Sequence, residues 1–233
     1  MKKRIYIADD EKNIRNLVKA FLEKEDYEVE AFENGDKLLT AFTQKPCDLV
    51  ILDIMMPGTS GFIICTKLRE ISPVPIIMLT AKDTEEDYIS GLSLGSDDYF
   101  TKPFSPVKLT MRVKALLRRV EMHTPQTPES DEISFKDISL FPAQQAAHCR
   151  GENLHLTKTE FSLFAYLIEN KAKAISRQEL LNVIWGYDIV IESRATDDTV
   201  KRLRRKLETA GSSVSIDTVW GFGFKLGTKE GSA

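Results

Sequence analysis

The stretch LVILDIMMPG, residues 49–58, decides the interpretation of the first half of this 233-residue chain. Four consecutive apolar residues end on a carboxylate, Asp53, and a Pro-Gly pair closes the stretch. Near-continuous apolarity over so few residues is typical of a strand buried on both faces of a parallel sheet. The sequence therefore predicts a buried strand that carries an acid at its carboxyl end.

The first 120 residues alternate apolar strand-like segments with amphipathic helical patterns. The predicted strands are 4–8, 27–32, 48–52, 75–79 and 97–101, and the predicted helices are 11–24, 34–44, 60–70, 84–94 and 106–120. Such alternation predicts a doubly wound α/β domain, whose parallel sheet is covered by helices on both faces. Each crossover is expected to be right-handed.

The second half is organised differently. The segment 121–131 is rich in proline, small polar and acidic residues and is interpreted as a linker between a domain at 1–120 and one at 132–229. Short strand-like pieces come first, followed by helical patterns at about 158–169, 176–185 and 195–209. Apolar and polar residues then alternate in VSIDTVWGFGFKL (214–226), a pattern typical of a hairpin. This order predicts a small α+β domain.

Composition excludes several classes of protein. A hydrophobic content of 42% and a net charge of −3 fit a soluble globular chain, and the only cationic excess is local. Three cysteines are too few for a disulfide framework, and the spacing of His148, Cys149 and His155 matches no zinc motif. The first residues lack the apolar core of a signal peptide, and no apolar run has membrane-spanning length. The sequence therefore predicts a cytoplasmic protein without membrane insertion.

Acidic residues follow two of the predicted strands. Asp9 and Asp10 end the first strand and Asp53 ends the third, so adjacent parallel strands would bring the three together at one sheet edge. Two like charges about 4 Å apart repel by roughly 4 kcal/mol at an effective dielectric constant near 20. A divalent cation would resolve that repulsion, and oxygen ligands with incomplete protein coordination favour Mg²⁺.

Such a site suits phosphoryl transfer. With a cation present, Asp53 is a plausible nucleophile toward a phosphoryl group, and Lys102 and the Thr80 hydroxyl could contact its oxygens. A phosphatase with an aspartyl-phosphate intermediate generally needs a second acid two residues further on, where this chain has Met55. The sequence therefore favours a phosphoryl acceptor over a hydrolase.

Residues 1–120 resemble the receiver domain of two-component response regulators, a flavodoxin-like (βα)5 fold. The matching motifs are ADD (8–10), LDIMMPG (52–58), LTA (79–81) and GSDDYFTKPF (95–104). Together these four motifs are far more specific than any one of them.

The receiver resemblance implies that a sensor histidine kinase phosphorylates Asp53. It also implies that Mg²⁺ is held by Asp10, Asp53 and the backbone carbonyl of Met55, with Asp9 close to the metal. The peptide bond between Lys102 and Pro103 is expected to be cis.

The resemblance further implies a switch and a homodimer. On phosphorylation Thr80 would move toward the phosphate and Tyr99 would turn inward, which alters the face built from helix 84–94, strand 97–101 and helix 106–120. In the OmpR/PhoB family, charged pairs across this face join two subunits; the matching residues here are Asp97, Asp98, Arg112 and Arg119. A third pair is replaced by Tyr88 and Lys108, between which a cation–π contact could form.

The stretch RATDDTVKRLRRKL, residues 194–207, is the informative part of the second domain. Thr196, Val200, Leu203 and Leu207 share one helical face and are predicted to pack inward, with the basic residues around the rest. Residues 133–226 resemble the OmpR/PhoB effector domain, a winged helix-turn-helix, through LTKTEFSLFAYLIEN (156–170), SRQELLNVIWGYD (176–188) and IDTVWGFGFKL (216–226).

The effector resemblance implies binding to double-stranded promoter DNA, with direct-repeat half-sites expected. Helix 195–209 would enter the major groove, the hairpin would contact the backbone or minor groove, and loop 186–193 would be offered to RNA polymerase. The candidate DNA contacts are Arg194, Thr199, Lys201, Arg202, Arg204, Arg205, Trp220 and Lys225. Trp220 stands where many relatives carry arginine, so it either contacts DNA or packs against the helix.

Two alternatives to a phosphorylation-switched DNA-binding regulator stay open at the level of the sequence. In the first, phosphorylation matters little and protein contacts set the dimer, an alternative that the altered pair Tyr88/Lys108 permits. In the second, the effector binds RNA or protein in place of duplex DNA.

Overall fold

The computed structural model describes residues 2–80, 95–122, 132–186 and 195–229, and the side chains of all of these except 119–122. The chain divides into two compact units, Met1–Leu117 and Arg118–Ala233. Each unit has hydrophobic core residues of its own. The predicted helix 84–94 and most of the predicted linker lie outside the described residues.

The first unit is built on a five-stranded sheet in the order β2-β1-β3-β4-β5, and every neighbouring pair is parallel. The strands are β1 (Arg4–Ala8), β2 (Glu28–Phe32), β3 (Leu49–Asp53), β4 (Ile76–Thr80) and β5 (Asp98–Thr101). Every residue of β3 and β4 is buried, as the continuous apolar runs predicted. The predicted doubly wound, flavodoxin-like fold is confirmed.

Helices cover both faces of this sheet. They are α1 (Lys12–Glu23), α2 (Gly35–Gln44), α3 (Gly61–Ile71) and α4 (Pro106–Met122). Successive residues of a strand point to opposite faces, so Ile5 packs with Val18 of α1 and Val113 of α4, whereas Tyr6 packs with the cluster that contains Leu38 of α2 and α3 residues. Burial of one such side chain contributes about 1.5–3 kcal/mol.

The register of the sheet places the strand ends side by side. Ala8 pairs with Leu52, so the residues that follow β1 lie beside Asp53 at the end of β3. Thr80 at the end of β4 pairs with Thr101. Because parallel strands share a carboxyl edge, the predicted functional residues are gathered there.

The second unit contains two antiparallel sheets and a set of helices. Its strands are β6 (Ile133–Phe135), β7 (Ile138–Phe141), β8 (Ala146–Cys149), β9 (Glu152–Asn153), β10 (Ile175–Ser176), β11 (Val214–Val219) and β12 (Gly223–Thr228); its helices are α5 (Lys158–Glu169), α6 (Arg177–Leu180) and α7 (Ala195–Thr209). The sheets have the orders β6-β7-β8-β9 and β10-β12-β11. The hairpin β11–β12 is the wing of a winged helix-turn-helix fold.

Local sequence signals explain where the helices of this unit begin. Thr157 and Glu160 form a capping box at the start of α5, and Ser176 caps α6 by accepting a hydrogen bond from the amide of Glu179. The chain continues from α6 into a π-helical turn, Leu181–Trp185, whose Trp185 is buried. Among the described segments, no helix combines the length and the apolarity that a membrane crossing requires.

Candidate phosphoryl-acceptor site and DNA-binding surface

Three carboxylates meet at the carboxyl edge of the parallel sheet. Asp9, Asp10 and Asp53 offer oxygen atoms that all lie within 4.8 Å of one another. Asp9 and Asp53 are buried, while Asp10 is exposed. The structure thus brings together the three acids that the sequence placed at two strand ends.

Lys102 lies among these acids. Its Nζ is 2.9 Å from Oδ2 of Asp9, 3.0 Å from Oδ2 of Asp53 and 3.3 Å from Oε1 of Glu11. The peptide bond between Lys102 and Pro103 is cis, as the receiver resemblance implied. A single ammonium group therefore contacts both buried carboxylates.

The protonation equilibria of this cluster are perturbed. Burial raises the pKa of Asp9 and of Asp53, and the hydrogen bonds from Lys102 only partly oppose that rise. Burial alone would lower the pKa of Lys102, but its hydrogen bonds to the two acids outweigh burial and the pKa is raised. The charged ammonium is consequently the stable form of Lys102.

The backbone around the acids is held by two groups that the sequence did not single out. The amide of Glu11 donates to Oδ1 of Asp9 at 2.9 Å. Arg15, on the first turns of α1, donates through Nη1 to the backbone carbonyls of Asp9 (2.6 Å) and Asp10 (2.8 Å). The sequence places Arg15 a few residues after the acids, on a predicted helix. Only the folded structure shows that its guanidinium turns back onto the loop that carries Asp9 and Asp10.

The donor set fits a magnesium ion. Asp9, Asp10 and Asp53 with Lys102 leave two net negative charges on oxygen ligands, and hard oxygen donors are what Mg²⁺ prefers. Asp10 is exposed, so one side of the cluster is open to water. A protein-bound Mg²⁺ usually keeps several water ligands. All three candidate side-chain ligands are carboxylates, so the cluster suits a hard cation better than a soft one.

The other predicted receiver residues surround this cluster. Thr80 is 1% exposed at the end of β4, the strand next to β3, and Tyr99 on β5 is half-buried against the core cluster of α2 and α3. Met55 is exposed, and its amide nitrogen lies 3.4 Å from Oδ1 of Asp53. These placements are compatible with contacts to a group attached at Asp53.

Gly61 packs so closely against the backbone of Asp53 that a larger residue at this position is expected to destabilise the receiver. A Cβ added at Gly61, the first residue of α3, would lie 2.0 Å from the backbone oxygen of Asp53. Because that neighbour is backbone, Gly61→Ala is expected to destabilise the receiver by about 3 kcal/mol and to displace Asp53. Thermal unfolding of the receiver transition measures the loss.

Gly35→Ala is the matched control for this substitution. Gly35 also begins a helix, but its added Cβ would meet side-chain atoms of Ile64, the nearest at 2.5 Å, and a side chain shifts more readily than backbone. A smaller loss of stability is therefore expected. Equal losses in the two variants would contradict the argument from backbone contact.

Asp97, a residue of the predicted dimer face, is bound by groups of the same chain. Asp97 is 1% exposed and accepts a 2.7 Å hydrogen bond from Nη2 of Arg69 and another from the amide of Ile76. Asp97, predicted as an inter-subunit partner, has a partner inside the receiver, because burial of an acid requires a partner nearby and Arg69 on α3 supplies it.

The remaining members of the dimer face are placed as follows. Asp98 and Arg112 pair with each other at 3.1 Å, and the guanidinium of Arg112 lies over the Phe100 ring. Lys108 is exposed on α4. Tyr88 and the side chain of Arg119 lie outside the part that the structure describes.

Helix α7 presents a mixed surface. Thr196, Val200, Leu203 and Leu207 are buried, which confirms the predicted inward face. Two cations of α7 and one of the wing are exposed where the sequence predicted them, namely Lys201, Arg205 and Lys225. Arg194 and residues 187–193 of the predicted polymerase-facing loop lie outside the described residues.

Two of the predicted DNA contacts are buried in this structure. Thr199 is 1% exposed, and Arg202 is 9% exposed with its Nε 2.9 Å from Oε1 of Glu160. Both side chains lie on the α7 face that packs on α5, where the buried carboxylate of Glu160 attracts the arginine.

The wing is fixed to the helices by two arginines. Arg204 donates through Nε to the carbonyl of Ile216 (2.6 Å) and through Nη2 to Oγ1 of Thr218 (2.8 Å). Arg177 at the start of α6, which the sequence reasoning missed, pairs with Asp197 of α7 at 3.0 Å. Both guanidinium groups lie over the buried ring of Phe224, at 4.8 Å for Arg177 and 5.7 Å for Arg204.

Comparisons with known proteins agree with this architecture. The family model described as response regulator receiver domain matches residues 5–114, and the model described as transcriptional regulatory protein, C terminal, matches residues 151–226. The chain is 38% identical over 228 residues to the transcriptional regulatory protein ResD of Bacillus subtilis, covering 96% of this chain and 95% of that protein.

Solved structures show the same combination of domains. Response regulator DrrB of Thermotoga maritima, titled an OmpR/PhoB homolog, is 31% identical with a TM-score of 0.52, over 97% of this chain and 99% of that one. A mutant of the protein RitR is 24% identical with a TM-score of 0.77 over the same shares, which shows likeness of fold.

A receiver fold with clustered acids at its edge, followed in one chain by a winged helix, defines a two-component response regulator with a DNA-binding domain that regulates transcription. The chain belongs to the OmpR/PhoB family of these regulators.

Proposed function

We propose that a sensor histidine kinase phosphorylates this protein on Asp53, and that the phosphorylated homodimer binds direct-repeat promoter half-sites. The acid cluster carries the proposal: oxygen atoms of Asp9, Asp10 and Asp53 lie within 4.8 Å of one another, and Lys102 lies 3.0 Å from Asp53. Receiver residues 1–120 would act through a linker at 121–131 on the effector at 132–229. We place the protein in the cytoplasm, where ATP-dependent kinases work.

The proposed chemistry is a direct phosphoryl transfer. A carboxylate oxygen of Asp53 attacks the phosphorus of a phosphohistidine, the P–O bond forms as the P–N bond breaks, and the imidazole nitrogen keeps the electron pair. Mg²⁺ would be held by Asp9, Asp10, Asp53 and the carbonyl of Met55, and when bound it neutralises charge on the phosphoryl oxygens. Lys102, already beside Asp53, would contact another of those oxygens.

Phosphorylation would then be transmitted to the dimer face. The Thr80 hydroxyl is proposed to contact the new phosphoryl group, and Tyr99 to fill the space behind it. A full shift from 1:99 to 99:1 between two states takes about 5.5 kcal/mol of differential free energy, part of which subunit contacts can supply. Asp98, Arg112 and Arg119, with Tyr88 and Lys108, would form those contacts.

The effector would read duplex DNA through α7. Lys201 and Arg205 are its exposed cations; Arg194 precedes them in the sequence and Arg204 lies between them. Lys225 would contribute from the wing, and loop 186–193 would be available to RNA polymerase. Because one small module makes few phosphate contacts, dimerisation raises affinity through the effective concentration of the second module.

Chemical trapping tests the phosphoryl acceptor. The full chain is incubated with acetyl phosphate and Mg²⁺, reduced with borohydride to convert an aspartyl phosphate into homoserine, and mapped by peptide mass spectrometry. The expected product is homoserine at position 53, absent when EDTA replaces Mg²⁺. Modification at another aspartate, or none, would overturn the assignment of Asp53.

Size-exclusion chromatography with and without acetyl phosphate tests the coupling to dimerisation. A phosphorylation-dependent shift to dimer, with tighter binding to a promoter duplex, is expected. Undiminished dimer formation and DNA binding without phosphate would favour the atypical regulator. Loss of duplex binding together with retained RNA binding would favour the RNA-directed alternative.

A further inference from the structure

Arg15 of α1 is bound to the backbone of two adjacent acids, Asp9 and Asp10. A single nitrogen atom, Nη1, donates to the carbonyl of Asp9 at 2.6 Å and to that of Asp10 at 2.8 Å. Both bonds end on backbone oxygens and neither ends on a carboxylate, so Arg15 is more than a counter-charge for the acids. A half-buried cation that binds the backbone of two candidate metal ligands indicates a role in orienting them.

The two bonds restrict the backbone at both acids. Successive carbonyl groups of an extended chain point to opposite sides, but here both carbonyls reach one nitrogen atom, so the chain turns at this point. The direction of a side chain follows from its backbone, and the two acids diverge, since Asp9 is buried whereas Asp10 is exposed. Both nevertheless offer oxygen atoms within 4.8 Å of one another and of Asp53. The bonds of Arg15 therefore fix a turn on which the geometry of the acid cluster depends.

The other contacts of this loop leave Asp10 dependent on Arg15. The amide of Glu11 donates to Oδ1 of Asp9 at 2.9 Å, a bond that restrains the side chain of Asp9 alone. Glu11 precedes α1 as its N-cap, but within the described part of the chain its side chain caps no amide and lies 3.3 Å from Lys102. The side-chain cap that commonly fixes the chain at the start of a helix is thus not what holds this loop.

We propose that Arg15 is a positioning residue of the magnesium site, which orients Asp9 and Asp10 for the ion through their backbone carbonyls. The inference rests on the proposed binding of Mg²⁺ and names the residue that pre-organises two of its ligands. Mg²⁺ demands near-ideal octahedral geometry, so a small displacement of its carboxylate ligands weakens binding. Groups that orient metal ligands without touching the metal typically change its affinity by about ten- to a hundredfold.

The charge of Arg15 acts on the ion in the opposite direction. A cation close to the acid cluster repels a dication, so removal of this charge by itself would strengthen the binding of Mg²⁺. Removal of the two backbone bonds would weaken it, because the acids lose their fixed directions. The sign of the change in Mg²⁺ affinity therefore distinguishes a positioning role from a purely electrostatic one.

Calorimetric titration of the full chain with magnesium chloride measures that sign. Arg15→Gln is expected to raise the Kd for Mg²⁺ about tenfold or more. Arg15→Lys is expected to give an intermediate Kd, because one nitrogen makes both bonds and an ammonium group supplies one nitrogen with three donors. Lys12→Gln is the matched control: Lys12 is an exposed cation at the first residue of the same helix, and its loss is expected to leave binding unchanged or slightly tighter.

The variants also define the results that would overturn the inference. An Arg15→Gln variant that binds Mg²⁺ as tightly as the wild type, or more tightly, would overturn it. Should circular dichroism show that Arg15→Gln does not fold, Arg15→Lys decides, since a purely electrostatic role predicts wild-type affinity for the variant that keeps the charge. Absence of Mg²⁺ binding in the wild type would overturn the proposed cofactor as well.

Comparison of Mg²⁺ with Ca²⁺ tests the geometry directly. The two ions carry the same charge, but Ca²⁺ accepts flexible and irregular coordination whereas Mg²⁺ does not. Arg15→Gln is therefore expected to weaken Mg²⁺ binding more than Ca²⁺ binding, so that the ratio of the two affinities falls. An equal change for both ions would show that the substitution alters the charge or general order of the site and not the directions of its ligands, and would overturn the positioning role.

Discussion

Replacement of Asp53 with asparagine is expected to abolish phosphoryl incorporation from acetyl phosphate. The amide oxygen is a far weaker nucleophile than the carboxylate, and Asp53 is the acid that ends β3 with its Oδ2 3.0 Å from Nζ of Lys102. Asparagine keeps the shape of the side chain and can still accept a hydrogen bond from Lys102. The fold should therefore persist, as near-unchanged circular dichroism would show.

The same variant is expected to lose most of its stabilisation by Mg²⁺. Ligand binding to the folded state raises its stability in proportion to the logarithm of ligand concentration over Kd, so a weakened site shifts the melting temperature less. Glu11→Gln is the matched control, because Glu11 also contacts Lys102, at 3.3 Å, but is exposed. Incorporation by Asp53→Asn at the wild-type rate, or its loss in Glu11→Gln, would contradict this account.

Glu160→Gln is expected to destabilise the effector domain by roughly 3–5 kcal/mol. Glu160 is 1% exposed, lies 2.9 Å from Nε of Arg202 and 2.7 Å from Nζ of Lys206, and accepts a hydrogen bond from the amide of Thr157. The neutral amide would leave the buried guanidinium of Arg202 without its counter-charge. Calorimetry of the full chain measures the effect. The unfolding transition of the effector is expected at a lower temperature, while the unfolding temperature of the receiver stays unchanged.

The exposed Glu208 on α7 provides the control. Glu208→Gln is expected to change stability by less than about 0.5 kcal/mol, because exposed charges contribute little. A loss below about 1 kcal/mol in Glu160→Gln would show that Arg202 finds another partner. In that event the ion-paired triad of Glu160, Arg202 and Lys206 would not be what positions α7 on α5.

The pH dependence of the effector follows from the same triad. Burial would raise the pKa of Glu160, but the charges of Arg202 and Lys206 outweigh burial and hold that pKa below its ordinary value of 4.5. With the folded-state pKa depressed, the stabilisation is present above pH 4.5 and is lost as pH falls through the folded-state pKa. In the acidic range, the free energy of unfolding of the effector is thus expected to fall less steeply with decreasing pH in Glu160→Gln than in the wild type.

Much of this molecule follows from local sequence patterns. The apolar runs such as LVIL at 49–52 predict buried parallel strands, because a strand covered on both faces buries every residue of such a run. Parallel strand ends then place Asp9, Asp10 and Asp53 at one edge, and the adjacency of β1 and β3 in the folded sheet brings them together. The inward face of α7 likewise follows from the helical period alone.

Tertiary structure decided which charged residues remain available. Arg202 and Arg205 are close neighbours in the sequence of α7, yet Arg202 is buried against Glu160 and Arg205 is exposed. Asp97 and Asp98 are adjacent and both buried, and each is bound within the receiver by a different element, Asp97 by Arg69 of α3 and Asp98 by Arg112 of α4. A buried charge needs a counter-charge from another element, and the sequence does not show which distant residue will supply it.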